Sequence, residues 1–360
     1  MKYKLTIGIA LLATLLPSCE RGVTPLAEEG SLVISERISN LTVNDFAEDK
    51  DGHIWIATSR GLNKYTVNEF QQFYCQDDTL GLPDNQVNVI HSSRDGNLWV
   101  ATSGGVALRT SRGGFTRVPV LDRNQGIRYI METGDGEMLM SNGNTLLKYD
   151  RKEKVLRPVL RDLNSFGAHT CMLSRDGRLW NVTDNGMLLN CYNSSDFSLI
   201  QSIPVPYPVY HICDAGNGEL WISGMGRLSI LDSRSMQWKE LPAAIRGEKR
   251  LMNGDIDVLF SPDDRSMLLN VIGKGFFYYS RTRETVLFRD DAGFPFDIPD
   301  TEIRSIFQDS SGNIWFGTAD RGFPFPYANA VSSAATNTLQ RPSRARISPL
   351  CVPTGTALSG

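Results

Sequence analysis

The sequence predicts an all-β protein folded as a seven-bladed β-propeller with four-stranded antiparallel blades. Three observations predict it. A strand–turn–strand–turn–strand pattern recurs seven times, and its apolar residues alternate with a period of two. Five of the six tryptophans (Trp55, Trp99, Trp180, Trp221 and Trp315) each fall three residues after a turn glycine.

The copies begin at Val43, Val87, Ile127, Ala168, Val209, Ile256 and Ile303, at spacings of 44, 40, 41, 41, 47 and 47 residues. Four strands in ~40–45 residues is the size of a propeller blade. The first copy, "VNDFAEDKDGHIWIATSRGLNKY", shows how each element arises. Residues 43–46 supply a first strand, and Asp51-Gly52 a tight turn in which glycine readily takes positive φ. Ile54–Thr58 reads as a half-buried second strand, rich in β-branched and aromatic residues. Gly61 turns the chain again, residues 62–65 begin a third strand, and the following "EFQQFYCQD" has room for a fourth. The copies from Val87 and Ile303 repeat this closely, and those from Ile127, Ala168 and Val209 more weakly. The copy from Ile256 has lost its glycine and tryptophan but keeps the alternation. Helical repeats of similar length need apolar residues at three- and four-residue intervals, which these segments lack. One four-stranded sheet cannot bury both of its faces, so blades must stack and the ring must close. Residues 32–37 have strand character and are expected to complete the seventh blade and lock the ring.

The flanks differ in character. Lys2 and Lys4 precede an apolar run over residues 5–16, the form of an export signal. "LPSC" is similar to a bacterial lipobox with Cys19 as the lipidated residue, although Pro17 replaces the usual small residue. No later run approaches ~18 apolar residues, so a membrane should be met only through that lipid. The expected organisation is a signal over 1–18, a linker over 19–30, the propeller over 31–330 and a disordered tail over 331–360. The formal net charge is −3, from 37 basic and 40 acidic residues with no basic stripe, which argues against a nucleic-acid partner. Beyond Cys19 the cysteines are Cys75, Cys171, Cys191, Cys213 and Cys351, an odd number without a CxxC pair and so no disulfide framework. Cys171 and Cys213 read as small buried hydrophobes.

The D-x-x-G-x-[IL]-W-[IV]-[AG]-T-x-x-G-L core of the first copy, nearly repeated in the second and seventh, resembles two-component regulator propeller repeats. The resemblance covers about residues 31–325. It implies a periplasmic sensor region of a hybrid two-component system, with oligosaccharides released from glycans as ligands. It also implies a membrane sensor kinase or a second propeller as partner. Such sensors continue into further domains, and none is recognisable in this sequence. The repeat decays after Gly322 into a proline- and small-residue-rich stretch, which suggests a truncated or frameshifted sensor gene.

Catalytic motifs are absent. The histidines, His53, His91, His169 and His211, form no HExxH or HxH spacing, and no nucleophile elbow or phosphate-binding glycine loop is present. No cofactor or metal is expected. Asp51, Asp95, Asp135 and Asp176 read as turn formers. One rival reading is a propeller lyase of the streptogramin-lyase type, with His169 and His211 on first strands of adjacent blades. The other is a scaffold that recruits partner proteins. For binding, the residue just inside each first strand is polar or amphipathic: Asn44, Asn88, Arg128, His169, Tyr210, Asp257 and Arg304. Such a ring at the central mouth offers donors and acceptors for sugar hydroxyls, with Tyr210 as a stacking platform. Arg60, Asp184, Asn185 and Arg321, in turns after second strands, are expected on the same face. A plain solvated rim is the competing account of these residues.

Overall fold

The computed structural model describes residues 33–320, except 36, 67–68, 77–80, 110–112, 123–125, 164, 166–169, 297 and 299–301. The export signal, Cys19, the linker, the tail, His169 and Arg321 lie outside the described residues.

Strand β1 (Val33–Ser35) precedes a first blade of β2 (Val43–Glu48), β3 (Ile54–Thr58), β4 (Gly61–Thr66) and β5 (Glu69–Phe73). The second blade is β6 (Val87–Ser92), β7 (Leu98–Thr102), β8 (Gly105–Arg109) and β9 (Phe115–Val118). The third is β10 (Tyr129–Glu132), β11 (Met138–Ser141), β12 (Leu146–Asp150) and β13 (Val155–Leu160). The fourth is β14 (Cys171–Leu173), β15 (Arg178–Thr183), β16 (Leu188–Asn193) and β17 (Leu199–Pro204). The fifth is β18 (Val209–Asp214), β19 (Glu219–Gly224), β20 (Arg227–Asp232) and β21 (Gln237–Lys239), followed by helices α1 (Ala243–Gly247) and α2 (Lys249–Met252). The sixth is β22 (Ile256–Asp263), β23 (Ser266–Val271), β24 (Gly275–Ser280) and β25 (Thr285–Phe288). Among the described residues, the last sheet holds β26 (Ile303–Gln308) and β27 (Ile314–Thr318). Every blade is an antiparallel meander whose strands pair in sequence order.

This corrects the expected architecture in two respects. The described residues form six complete blades plus a two-stranded sheet, not seven four-stranded blades. The N-terminal strand does not complete the seventh sheet either. Val33, Ile34 and Ser35 pair with Gln72, Gln71 and Phe70, so β1 is a fifth strand on the outer edge of the first blade. Side chains of that same blade hold the segment there. Gln72 Nε2 donates to the Arg37 carbonyl at 2.7 Å. Buried Asn63 grips Ser39 twice, accepting from its backbone N–H at 2.9 Å and donating to its Oγ at 2.8 Å. From that position the free edge within reach is β5.

Second strands are more buried than the sequence pattern implies. All five residues of β3, of β7 and of β27 are buried, because a neighbouring blade covers each face. The recurring tryptophans lie in these inter-blade layers, with indole N–H groups that mostly end on the preceding turn. Trp55 and Trp315 each donate to an aspartate, Asp49 and Asp309, at 2.9 Å, and Trp180 donates to Ser174 Oγ at 3.2 Å. Gly52 and Gly312 make these turns possible with φ of 80° and 84°.

The ring closes through side chains. Val43, Phe46, Ile54 and Ile56 of the first blade share one core cluster with Trp315 of the last sheet. The Phe46 ring lies 6.4 Å from Phe307 and 6.1 Å from Trp315, between centroids. Thr42 Oγ1 donates to the Ala319 carbonyl at 2.7 Å. Glu48 accepts from the Ser310 N–H at 2.6 Å and from its Oγ at 2.7 Å. Carboxylates at the ends of other first strands repeat this link to the preceding blade's turn. Glu132 accepts from Arg94 N at 3.1 Å, and Asp214 from Arg175 N at 2.7 Å.

Candidate functional site

In a four-stranded meander, the start of the first strand, the turn between second and third strands, and the loop to the next blade share one end. That end is the mouth face here, and the first strands adjoin one another around the axis. Five of the seven predicted rim residues have a common backbone feature. Pairing between first and second strands skips one residue between Val43 and Asp45, Val87 and Val89, Val209 and His211, Ile256 and Val258, and Ile303 and Ser305. The skipped residues are Asn44, Asn88, Tyr210, Asp257 and Arg304. Each is the extra residue of a β-bulge, a device that bends a strand and re-aims a side chain. Arg128 lies one residue before β10, and its N–H donates to the Ser141 carbonyl at 2.8 Å.

Arg128 and Arg304 are exposed, whereas Asn44, Asn88, Tyr210 and Asp257 are half-buried. Three of these residues have structural engagements. Asn44 Nδ2 donates to the Val87 carbonyl of the next blade at 2.7 Å. Asp257 accepts from Asn270 Nδ2 at 2.8 Å; burial, with Glu302 nearby, pushes its carboxyl above the usual range. Arg304 pairs with Glu302 at 3.4 Å.

His211, a candidate in the lyase reading, joins blades. Its Nδ1 accepts from Leu259 N at 3.3 Å and lies 3.2 Å from the Asp257 carbonyl. Asp45 occupies the equivalent place in the first blade, accepting from Ile90 N at 3.0 Å as well as from Phe46 N at 2.9 Å. Burial raises the Asp45 pKa to about 7 despite those two donors.

Asp184 and Asn185, read from the sequence as rim residues, line a depression that contains no first-strand residue. They form the tip of the β15–β16 turn, with φ of 51° and 54°. They line an open hollow of about 650 Å³ with Asp162, Ser165, Thr183, Asn190 and Tyr192. A second hollow of about 800 Å³ is lined by Val120, Leu121, Asp122, Asn142, Asn144, Thr145 and Arg161. Apart from Asp184 and Asn185, the sequence reading missed these residues. The polar character of Asp122, Asp162 and Ser165, between the last strand of one copy and the first of the next, was the available signal. Arg60 is exposed at the corresponding turn of the first blade.

Among the described residues, Asp49, Asp51 and His53 bring potential ligand atoms within 4.8 Å of one another. Asp49 is already committed to the Trp55 indole and to His53, with Lys64 Nζ 3.6 Å away. Burial alone would raise its pKa, but those partners outweigh it and hold the carboxyl below the usual range. This is a turn-building set at the end opposite the mouth. The described cysteines Cys75, Cys171, Cys191 and Cys213 are free, and burial pushes the Cys171 and Cys213 thiols up to about 12, as suits inert residues.

Residues 37–60, 81–104 and 297–320 match the family model for the two component regulator propeller. These three segments are similar to two component regulator propeller repeats. The matched segments hold the first, second and seventh copies, where the D-x-x-G-x-[IL]-W core is best kept. No curated protein sequence matches the chain. Among solved structures, the fold is similar to the extracellular domain of a putative hybrid two component system from B. thetaiotaomicron. The TM-score is 0.64 at 18% identity, covering 81% of this chain and 41% of that one. It is also similar to the extracellular domain of a putative one component system from the same organism, at TM-score 0.62 and 15% identity, covering 87% and 43%. Virginiamycin B lyase from Staphylococcus aureus matches at TM-score 0.61 and 14% identity, covering 81% of this chain and 97% of that one. At such identities the likeness is one of fold. The chain spans less than half the length of either sensor domain.

Proposed function

We propose that this regulator propeller is an exported, ligand-binding sensory module that takes glycan-derived oligosaccharides at the mouth of the ring. It works outside the cytoplasm, anchored through lipidated Cys19, and passes its signal to a membrane sensor kinase or a second propeller. The observation that carries the reading is the bulge in the first strand of five sheets, at the polar positions picked out as a rim. Five bulges at equivalent positions aim Asn44, Asn88, Tyr210, Asp257 and Arg304 differently from the core-facing residues around them. A solvated rim needs no such device. Hydroxyl-rich ligands suit this mixture of amides, charges and one tyrosine. The likeness to sensor extracellular domains supports the sensory role, and fold alone does not set the ligand. No helix among the described residues is long and apolar enough to cross a membrane.

The lyase reading draws support from the lyase match, but His211 is committed to joining blades. A glycan-array screen of the chain from residue 20 onward tests the proposal, followed by titration of the retained sugar. Arg128→Ala, Tyr210→Ala and Arg304→Ala should each weaken binding several-fold or more with little change in melting temperature. A lost hydrogen bond to a bound polar group costs about 0.5–1.5 kcal/mol, and more from a charged donor. Unchanged affinity in all three variants would move the site away from the mouth.

A further inference from the structure

We infer that the two hollows over the third and fourth blades form an outer subsite that reads the length of an extended oligosaccharide held first at the mouth. The inference rests on the ligand reading above. Its starting point is the lining of the hollows, which includes turn and inter-blade loop residues but none of the first strands that adjoin one another around the axis.

The hollows are joined to the rim through Arg128. Its guanidinium lies against Gly143, 3.5 Å from where a Cβ would stand, at the tip of the β11–β12 turn. Asn142 and Asn144 flank that glycine and line one hollow. On its other side, Gly143 O accepts from Ser165 N at 2.7 Å, and Ser165 lines the other hollow. A path of polar groups thus runs from the mouth outward across both depressions.

The wall between the hollows is fixed before any ligand arrives. Leu163 N donates to the Asn144 carbonyl at 2.9 Å, and Leu163 O accepts from Asn181 Nδ2 at 3.2 Å. Leu163 and Asn181 are both buried, and Ser165 Oγ bonds to Asn181 Oδ1. Leu163 and Ser165 are therefore each pinned to the third blade on one side and the fourth on the other. In one hollow Asp122 gathers Asn142 Nδ2 and Thr145 Oγ1, both at 3.2 Å, and Arg161 Nη1 at 3.3 Å. In the other, Asn185 stands at the turn tip, Asn190 is held by Thr183 Oγ1 at 3.3 Å and Ser202 Oγ at 2.6 Å, and the half-buried Tyr192 packs partly on the core below. The exposed part of the Tyr192 ring and the Asn185 amide can meet one sugar unit, the ring by apolar contact and the amide by bonding its hydroxyls. Preformed polar positions of this kind lose little entropy on binding.

The test uses ladders of one to six units from the cello-, malto-, xylo- and manno-oligosaccharide series, titrated by calorimetry against the chain from residue 20 onward. For the series that binds, affinity should climb with length and then level off. Tyr192→Ala should cost the longer members several-fold or more while leaving the shortest binder unchanged. Asn185→Gly keeps the left-handed backbone while deleting the amide, so it should do the same without a folding cost. Tyr210→Ala at the mouth should weaken every length alike. Affinity independent of length, or both outer variants matching wild type at every length, overturns the outer subsite, and the mouth reading survives if Tyr210→Ala still weakens binding. Outer variants that weaken all lengths while Tyr210→Ala weakens none overturn the mouth reading and the length-reading role together. Failure of every series to bind refutes both.

Discussion

Asp45 follows the first bulge and spends both carboxylate oxygens on backbone N–H groups, Phe46 of its own strand and Ile90 of the next blade. Two accepted bonds would ordinarily lower a carboxyl pKa, yet burial between the first strands wins and holds it at about 7. The sign follows from linkage. Between roughly pH 4, where the unfolded chain loses this proton, and pH 7, where the folded chain does, the unfolded state binds fewer protons and stability falls as pH rises. A shift of about three units corresponds to roughly 4 kcal/mol. His91 acts in the opposite sense: burial lowers its pKa against the pull of Glu132, so its contribution rises with pH through about 6.5. The Asp45 effect is therefore read as a difference. Melting temperatures of wild type and Asp45→Asn, measured from pH 4.5 to 8, should diverge in slope, with wild type losing more as pH rises. Parallel curves would show that Asp45 titrates normally. The neighbouring Asn44 was legible in the sequence as a polar residue beside an apolar one. Its bulge was not, because a bulge is a relation between two strands and depends on the register of β2 against β3.

At the scale of strands and turns, the period-two pattern located the first three strands of the first copy, because alternation and turn glycines are local properties of the chain. Burial on both faces of β3, β7 and β27 was misjudged, since the covering surface comes from other repeats. The links between blades were invisible for the same reason. Glu48 and Ser310 are 262 residues apart, and nothing local marks either as a partner. These carboxylates give the turns a task beyond turning, because an anion accepting a backbone N–H makes a stronger bond than a neutral pair. Glu48→Ala leaves the Ser310 N–H without its acceptor and should lower unfolding free energy by about 1.5–3 kcal/mol. Glu48→Gln keeps a carbonyl acceptor and should cost distinctly less. Urea denaturation of both variants checks the ranking. Equal losses would show that the charge of Glu48 matters, and not its acceptor or shape.

At the scale of the ring, the question is what keeps the first and last sheets together. The sequence reading gave that task to residues 32–37, a natural inference because a strand ahead of the first repeat can pair with any free edge. A three-residue strand carries too little pattern to name its edge, and the grip of Gln72 and Asn63 decides in favour of β5. Closure then rests on the apolar layer between β2 and β27, on Thr42 with Ala319, and on Glu48 with Ser310. Two changes separate these accounts. Starting the chain at residue 37 removes β1 and uncovers the β5 edge, which should promote association at high concentration. It leaves the ring interface intact, so the melting temperature should move by only a few degrees. Phe46→Ala empties a position shared with Phe307 and Trp315 and should cost about 3–5 kcal/mol. For a domain this large, that corresponds to a fall on the order of 10 °C. Calorimetry on both proteins at low concentration decides between them. If the shortened chain melts far below Phe46→Ala, the N-terminal strand is the lock after all, and the aromatic layer is secondary.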